Sequence, residues 1–275
     1  MFRFEVLTVG KELLIGRTLN TNAHWVGARL ARRGTMIREI VTVDDNIDEI
    51  SAAFRAAVTR RPDFLLVIGG LGPTPDDMTL SGIAKALGVK LRLHREALAL
   101  IREHYSRRGM PGIAMTRARK KMATIPAGSS PVPNERGTAP GVSIAVGRTA
   151  VYCVPGVPAE MKWVFSKFVE PEVERRLGRL NRSIAHVRLR GVYESALAPI
   201  LGEAGRRHPD AYIKSHPGGT KEGASLIGLD VAVVRPSRAD ADAEVASVLK
   251  YIVPKATSLG GTVISAKGRG AAGVG

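Results

Sequence analysis

A glycine-rich turn that follows a run of apolar residues is the segment of this 275-residue sequence most suited to chemistry. The apolar run 64–68 passes into Gly-Gly-Leu-Gly-Pro-Thr at 69–74, and a helix is predicted to begin near Thr79. Glycine lets backbone N–H groups approach an oxyanion, and a helix N-terminus favours negative charge. The turn has no Gly-Lys-Ser/Thr of a Walker A loop, and Pro75 replaces the last glycine of a dinucleotide fingerprint. We predict that it binds a phosphorylated ligand through Gly69, Gly70, Gly72, Pro73, Thr74 and Thr79.

Two carboxylates, Asp76 and Asp77, come directly after this turn. Beside a bound phosphate they would repel the ligand unless a cation lay between them. Mg²⁺ takes carboxylate and phosphate oxygens together and can activate a bound water. The pair is therefore predicted to ligate Mg²⁺ or another divalent cation and to act in catalysis. Capping of the following helix is the structural alternative.

Two more acidic residues come after predicted strands. Glu12 follows the first strand and Asp45 follows the second. A parallel sheet brings the carboxyl ends of its strands to one edge, where ligands bind. We therefore predict that Glu12 joins the metal ligands and catalytic residues and that Asp45 contacts the substrate. The alternative for both residues is a solvated loop acid; Asp45 stands beside the acidic Asp44 and the helix-capping Asn46.

The hydrophobic periodicity of residues 1–177 alternates between strand-like and helix-like segments. Such alternation indicates an α/β fold with three layers, a mostly parallel sheet between two layers of helices. Residues 109–141 are rich in Pro, Gly and basic residues, and they are expected to form a long irregular region with one helix over 117–122. The predicted strands are 4–9, 36–43, 64–68, 142–146 and 150–154, and the predicted helices are 20–33, 47–61, 79–87, 95–108 and 158–177.

A second, smaller pattern begins after Gly178. Its order, β-α-β-β-α-β, is the split arrangement of ferredoxin-like α+β folds. We therefore predict two domains, 1–177 and 180–266, followed by a disordered tail over 267–275. The predicted strands of the second domain are 184–189, 211–215, 226–234 and 262–265, and its predicted helices are 194–207 and 240–255.

The chain is strongly basic, with 41 Lys and Arg residues against 25 Asp and Glu residues and a formal net charge of +16. Pairs of arginines close several predicted helices, where cations complement the helix dipole. Most of the charge is therefore expected to be solvated surface, and nucleic acid is only a secondary expectation as a partner. The densest cluster, Arg117, Arg119, Lys120 and Lys121, could meet the phosphates of a small ligand or of RNA.

The residue types present exclude several other kinds of site. Cys153 is the only cysteine, so we exclude an intrachain disulfide and expect a small buried hydrophobic residue. The histidines lack the spacing of a helical zinc pair, and no Gly-x-Ser-x-Gly motif occurs.

No apolar run is long enough to span a membrane, and the N-terminus lacks the order of a signal peptide, so we expect a cytoplasmic protein. Glutamine is absent, which is typical of heat-adapted proteins and suggests a thermophilic source.

Five short motifs occur in one order along the first domain. They are GKELL at 10–14, NTN at 20–22, GGLGPTPDD at 69–77, GTAPG at 137–141 and VPGVP at 154–158. In this order and spacing they resemble the N-terminal domain of the CinA competence/damage-inducible proteins, a branch of the molybdopterin-binding MoaB/Mog-like superfamily. The resemblance covers about residues 3–175.

The resemblance implies a three-layer α/β fold whose pocket binds a phosphorylated pterin or a nucleotide. In molybdopterin adenylyltransferases an acidic residue of the glycine-rich motif matches Asp77, and an Asp after the second strand matches Asp45. Leu71 stands where those enzymes usually have Thr, which is similar to the CinA branch. The matched motifs add further substrate-binding residues, namely Asn20, Asn22, Gly137, Thr138, Pro155 and Gly156.

Proteins that this chain resembles are associated with metal-dependent ADP-ribose pyrophosphatase activity. The leading hypothesis is therefore a divalent-cation-dependent hydrolase of a nucleotide-sugar diphosphate such as ADP-ribose, without the nicotinamide-mononucleotide deamidase domain of full-length CinA proteins. The alternative is a non-catalytic or adenylyl-transferring protein that binds molybdopterin or a nucleotide. Two further alternatives stay open: a homo-oligomer, and RNA binding by the basic second domain, whose pattern is similar to a middle domain sometimes described as KH-like.

Overall fold

The computed structural model describes residues 2–178, 180–221 and 223–268, and these divide into two compact units. The first unit runs to Leu177 except for Arg32–Gly34, which group with the second unit that begins at Gly178. Each unit has its own hydrophobic core. Within the described ranges no helix is long and apolar enough to cross a membrane. The predicted disordered tail lies outside the described residues from position 269 onward.

The first unit is built on a six-stranded sheet in which four neighbouring strands are parallel. The strands of this unit are β1 (Phe4–Val9), β2 (Ile37–Val43), β3 (Phe64–Ile68), β4 (Leu91–Leu93), β5 (Thr124–Pro126), β6 (Ser130–Val132), β7 (Gly141–Val146) and β8 (Thr149–Val154). The order across the sheet is β2-β1-β3-β8-β7-β6, and both pairs formed by β7 are antiparallel. β4 and β5 pair separately with each other. The predicted mostly parallel sheet is confirmed.

Helices cover both faces of this sheet, which confirms the three-layer architecture. They are α1 (Lys11–Leu14), α2 (Thr21–Arg32), α3 (Ile47–Thr59), α4 (Thr79–Leu87), α5 (Arg95–Arg107), α6 (Arg117–Met122), α7 (Pro158–Val164) and α8 (Glu170–Leu177). α3, α4 and α5 pack on one face through Phe54, Ile83 and Ile101, and α2 packs on the other through Leu30. Because helices lie on both sides, every residue of β1 and β3 is buried.

Three parts of the first unit differ from the sequence-based expectation, and the first is the short helix α1, which was not predicted. The region 109–141 contains the predicted helix α6, but it also contains β5 and β6, whose prolines and short length hide the alternation typical of a strand. The helix predicted over 158–177 is interrupted by a π-helical turn, Phe165–Val169, between α7 and α8. A π turn adds a residue to the helical repeat, and both Phe165 and Val169 are buried here.

The second unit has the predicted order β-α-β-β-α-β. Its elements are β9 (Asn181–Arg190), α9 (Glu194–Arg207), β10 (Tyr212–Lys221), β11 (Ala224–Arg235), α10 (Arg238–Ser258) and β12 (Thr262–Lys267). The strands form a sheet in the order β10-β11-β9-β12, and every pair is antiparallel. Both helices pack on the same face of the sheet, through a core that includes Leu189, Leu197, Leu229 and Leu249.

Cys153 lies in β8 with its side chain fully buried, as predicted. Burial raises the pKa of the Cys153 thiol to about 12, so the reactive thiolate is scarce at neutral pH. We expect the native protein to react with a thiol-specific reagent more slowly than the protein unfolded in guanidinium, by a factor on the order of a thousand. Stopped-flow labelling at pH 7 measures both rates. Rapid labelling of the native protein would contradict a purely structural role for this side chain.

Candidate functional site

The loops that follow the parallel strands of the first unit meet at one edge of the sheet. Gly10 and Glu12 follow β1, Asp45 follows β2, Gly69 follows β3 and Gly156 follows β8. β2 lies on one side of β1 and β3 on the other. The chain therefore reverses the direction in which it adds strands to the sheet between β1 and β3. A crevice forms at such a switch point and is the usual ligand site of open α/β sheets.

The turn after β3 requires glycine at two successive positions. Gly69 and Gly70 have φ values of 103° and 64°, in the left-handed region. A Cβ on Gly69 would collide with the Val9 carbonyl oxygen, and one on Gly70 would collide with the Thr79 hydroxyl. The Thr79 side chain is buried, and its hydroxyl donates to the Gly69 carbonyl at 2.8 Å. Thr79 therefore shapes the turn from inside, which corrects the prediction that it contacts the substrate.

The outer part of the turn is stabilised by polar contacts with Thr74. Its backbone N–H and its hydroxyl donate to Asp77 Oδ2 at 2.8 and 2.5 Å. Lys121 donates from Nζ to the Thr74 carbonyl. Hydrogen bonding by Thr74, together with the Lys121 charge, holds the pKa of Asp76 below its ordinary value. The loop after β3 therefore keeps the Asp76 carboxylate ionised.

Glu12, Asp45 and Asp76 lie near one another at the switch point, and we term these three residues the acidic edge. The backbone N–H of Lys11 donates to Asp45 Oδ2 at 2.9 Å. Burial raises the pKa of Asp45 above its ordinary value, and the negative charges of Glu12, Asp44 and Asp76 raise it further. The acids that were predicted to converge from three separate loops are thus close enough to repel one another.

The carboxylates that follow β2 and β3 do not cap the helices that come after them. α4 begins without a side-chain cap, so neither Asp76 nor Asp77 serves that purpose. At the start of α3 the cap is Asn46, whose side chain accepts the N–H groups of Asp48 and Glu49. Asp45 instead accepts the backbone N–H of Lys11, the first residue of α1. The alternative that Asp76 or Asp77 only caps the following helix is therefore wrong.

Among the described residues, no group of three or more His, Cys, Asp or Glu side chains is arranged as a metal site. A cage made wholly of protein ligands is therefore absent from that part of the chain. Mg²⁺ seldom uses such a cage; it is usually bound by one or two carboxylates, several waters and the phosphates of a substrate. The acidic edge fits this second mode, in which the ligand completes the coordination.

A pocket of about 110 Å³ borders the turn on the side of Gly69, and we term it the asparagine pocket. Asn20 donates to Thr8 Oγ1 at 3.2 Å, and Asn22 donates from Nδ2 to the Gly156 carbonyl at 2.7 Å. The Oδ1 atom of Asn22 is buried and has no hydrogen-bond partner among the described residues. An unpaired buried acceptor costs free energy, so this atom is suited to accept a hydrogen bond from a ligand. The polar lining consists of Thr8, Glu12, Thr18, Asn20, Thr21 and Asn22.

A larger pocket of about 250 Å³ borders Gly70 and Gly72, and we term it the basic pocket. α6 contributes three cationic side chains to it. The fourth cation of the predicted cluster, Arg119, lies instead over the Tyr105 ring at 4.7 Å and donates to the Ala114 carbonyl. The remaining walls are mostly apolar. The lining includes Arg117, Lys120, Lys121, Asp77, Leu71, Leu80 and Leu91.

Residues 5–175 match a family described as a probable molybdopterin binding domain. The chain belongs to this family. The protein CinA of unknown function from Thermoplasma acidophilum is similar in structure, with 41% identity, a TM-score of 0.56, and coverage of 62% of this chain and 96% of that chain. A protein from Pyrobaculum arsenaticum is 43% identical over 260 residues, which are 94% of this chain and 97% of that protein. A protein from Aeropyrum pernix is 39% identical over 258 residues, covering 94% and 95% of the two chains. The resemblance to the CinA branch is confirmed.

Within this molybdopterin-binding domain, one of the five sequence motifs lies outside the two pockets. Thr138 lines a different pocket, of about 220 Å³, together with His104 and Asn134. The Gly137 N–H donates to Asn134 Oδ1 at 3.1 Å. Pro155 is buried behind the loop that ends β8. Gly137, Thr138 and Pro155 therefore line neither pocket that borders the turn, and the substrate contacts predicted for them stay predictions.

Three basic residues of α6 border the candidate site, although the sequence alone did not assign them to it. Their clustering was visible in the sequence, and a contact with phosphates was considered for them. The helix is separated along the chain from the glycine turn by β4, α5 and a long loop. Only the packing of these elements shows that Arg117, Lys120 and Lys121 face Gly70 and Gly72.

A substitution at Gly70 has two effects, a clash of the added Cβ with Thr79 and strain in the left-handed backbone. Comparison with Gly88 separates them. The two glycines have φ values of 64° and 66°, but only Gly70 has an atom, in Thr79, within reach of an added Cβ. We expect Gly88→Ala to lower the free energy of unfolding by about 1 kcal/mol. Gly70→Ala should lower it by a further ~1–3 kcal/mol, because Thr79 must move. Urea unfolding measures the difference, and equal losses would mean that Thr79 does not constrain the turn.

The Asp45→Asn substitution should stabilise the metal-free protein at neutral pH. The folded state raises the pKa of Asp45, so ionisation of this group costs stability as the pH rises through its unfolded and then its folded value. The amide oxygen of the variant can still accept the Lys11 N–H. We expect equal stability of variant and wild type well below the ordinary Asp pKa of 3.8, and a more stable variant at pH 7.

Urea unfolding from pH 3 to pH 7 with a chelator present measures this dependence. Asp48→Asn is the matched control, because it removes an exposed carboxylate that pairs with Lys85 and lies in the first turn of α3. It should instead lose up to about 1 kcal/mol at pH 7. A loss of stability in Asp45→Asn at pH 7 would contradict the raised pKa.

Proposed function

We propose that the first unit binds a phosphorylated nucleotide or pterin across the glycine turn and hydrolyses the diphosphate of a nucleotide sugar with the help of a divalent cation. The observation that carries this proposal is the meeting of the basic pocket and the acidic edge at the switch point of the sheet. ADP-ribose is the leading substrate, because the CinA resemblance implies it.

The basic pocket supports binding of the phosphates. Arg117, Lys120 and Lys121 supply positive charge opposite the backbone of Gly70 and Gly72. Charge-assisted hydrogen bonds to phosphate are stronger than neutral ones. The leucines of the same pocket offer apolar walls of the kind that hold a planar ring. A ligand with a heterocycle and linked phosphates combines both requirements.

The acidic edge supports a cation rather than direct contact with the phosphates. Glu12, Asp45 and Asp76 repel one another and would repel an anionic substrate. A divalent cation held by one or two of these carboxylates, together with waters, would neutralise the diphosphate and lower the pKa of a coordinated water. In the asparagine pocket, Asn22 would accept a hydrogen bond from a ribose hydroxyl or a pterin amine through its unpaired Oδ1.

Incubation of the full chain with ADP-ribose and Mg²⁺ tests the proposal. A water oxygen bonds to one phosphorus, the P–O bond of the diphosphate bridge breaks, and the expected products are AMP and ribose 5-phosphate. Asp76→Asn should lower kcat by about a hundredfold or more. The double variant Lys120→Gln, Lys121→Gln should raise KM by roughly tenfold, because it removes two phosphate contacts.

Glu103→Gln is a matched control, since Glu103 is an exposed carboxylate on α5 outside both pockets that border the turn. It should keep the activity of the wild type. No AMP from the wild type with Mg²⁺, Mn²⁺ or Co²⁺ would reject hydrolysis of this substrate.

Binding without turnover is the second candidate, and it is favoured by the family match, which is to a probable molybdopterin binding domain. Calorimetry with nucleotides and pterins distinguishes the two. Tight binding that persists in Asp77→Asn, without any product, would support a binding protein. Binding that requires the divalent cation and is followed by product would support the hydrolase.

A further inference from the structure

The sheet of the second unit has one face that α9 and α10 do not cover. Along β9 the buried residues Val187 and Leu189 point to the helices, and the intervening residues His186, Arg188 and Arg190 lie on the opposite face. On the neighbouring strands, the residues that pair with these positions of β9 lie on the same face, because paired residues share a side of a sheet. We term this surface the open face.

The open face carries more positive charge than the two helices that cover the other face of the sheet. Among its described side chains there is a single carboxylate, Asp230, against five basic residues. The two helices on the other side carry five basic and five acidic residues, so their charges balance. The asymmetry is therefore a property of the open face and not of the composition of the unit. Its basic residues are Arg182, Arg188, Arg190, Lys214 and Lys267.

Asp230 is held between two histidines at the middle of this face. Its Oδ1 lies 2.6 Å from His186 Nδ1, and its Oδ2 lies 3.1 Å from His216 Nε2. Both carboxylate oxygens are thus engaged by neighbouring strands, which limits the repulsion that Asp230 exerts on an approaching anion. The two imidazole rings are more than half exposed, and Tyr212 on β10 adds a third exposed ring.

We infer that the open face binds single-stranded nucleic acid. A basic surface that also presents flat rings is what a single strand requires, because cations neutralise its phosphates and rings stack on its unpaired bases. On this sheet, side chains of one strand recur about every 7 Å and neighbouring strands lie ~4.8 Å apart. Arg188, Lys214 and Lys267 would contact phosphates, while Tyr212 and His216 would stack on bases.

The positive charge and exposed rings of the open face also argue against two other partners, a second copy of this chain and a duplex. A second copy of this chain would bring the same five cations against their equivalents, and like charges across an interface suppress association. A duplex keeps its bases stacked inside, so it would use the cations but not the rings. The observations therefore favour a single strand over a self-complementary interface or a duplex.

Fluorescence anisotropy of the full chain with a labelled 16-nucleotide oligouridylate tests the inference, and an oligothymidylate of equal length shows whether the 2′-hydroxyl contributes. We expect affinity for the single strand to fall steeply as salt rises from 50 to 200 mM. The double variant Arg188→Gln, Lys214→Gln should weaken binding by about tenfold or more. It should also make the slope of log affinity against log salt shallower by roughly 1.4, since each lost phosphate contact removes ~0.7.

Substitutions of Tyr212 and Asp230 test the roles of the aromatic ring and of the carboxylate on the open face. Tyr212→Ala should weaken binding by about five- to a hundredfold, and Tyr212→Phe should restore it, because stacking needs the ring and not the hydroxyl. Asp230→Asn should strengthen binding, since it removes the carboxylate of this face. Thermal unfolding of each variant identifies any loss that comes from misfolding.

Two matched controls remove the same charge elsewhere. Lys250→Gln with Lys255→Gln removes two exposed cations from α10, and Lys120→Gln with Lys121→Gln removes two from the basic pocket. Both should change the affinity for the oligonucleotide by less than about twofold. Equal losses in these controls and in the open-face variant would overturn the inference, because binding would then follow net charge. It would also be overturned by no binding at 50 mM salt, by equal affinity for a duplex, or by stronger binding to phosphatidylserine vesicles.

Discussion

The carbonyl oxygen of Val9 and the hydroxyl of Thr79 leave no space for a side chain at positions 69 and 70, and the candidate site depends on that contact. Because these atoms approach so closely, the end of β3 packs against the end of β1 and against the start of α4. Further bonds extend the arrangement along the sheet: the Gly10 N–H donates to the Val43 carbonyl at 3.1 Å, and the Gly69 N–H donates to the Val154 carbonyl at 3.0 Å. These bonds join the ends of β1, β2, β3 and β8, so the segments that follow the four strands meet at one edge of the sheet.

The electrostatics of the site follow from this convergence. Carboxylates from three segments are brought together at a partly buried position, where burial first and then their repulsion raise the pKa of Asp45. The cations of α6 gather beside the same turn but in a separate pocket, with Lys121 bonded to the backbone of Thr74. The two sets of charges still interact, since the Lys121 charge adds to the Thr74 hydrogen bond in lowering the pKa of Asp76. The arrangement costs stability, which is common where residues are placed for function.

The two units illustrate two ways in which a basic protein can distribute its charge. In the first unit the cations that border the turn come from one short helix. In the second unit they come from alternate positions of antiparallel strands, where one face is closed by helices and the other is left to polar residues. The net charge of +16 is a sum over the chain, and it does not distinguish these arrangements from an evenly charged surface.

The sequence by itself determined the class of fold, most of the helices and strands, and the loops that carry the acids, because hydrophobic periodicity and turn residues are local properties. It also indicated the glycine turn, although the glycines are required by contacts with Val9 and Thr79 that no local pattern reveals. Tertiary structure alone decided that α6 faces the turn, that Thr79 points inward, that Thr138 lies in another pocket, and that five cations share one face of the second sheet. The physical reason is that periodicity reports which side of an element is buried but not what it is buried against. That partner is chosen by packing between segments far apart in the chain.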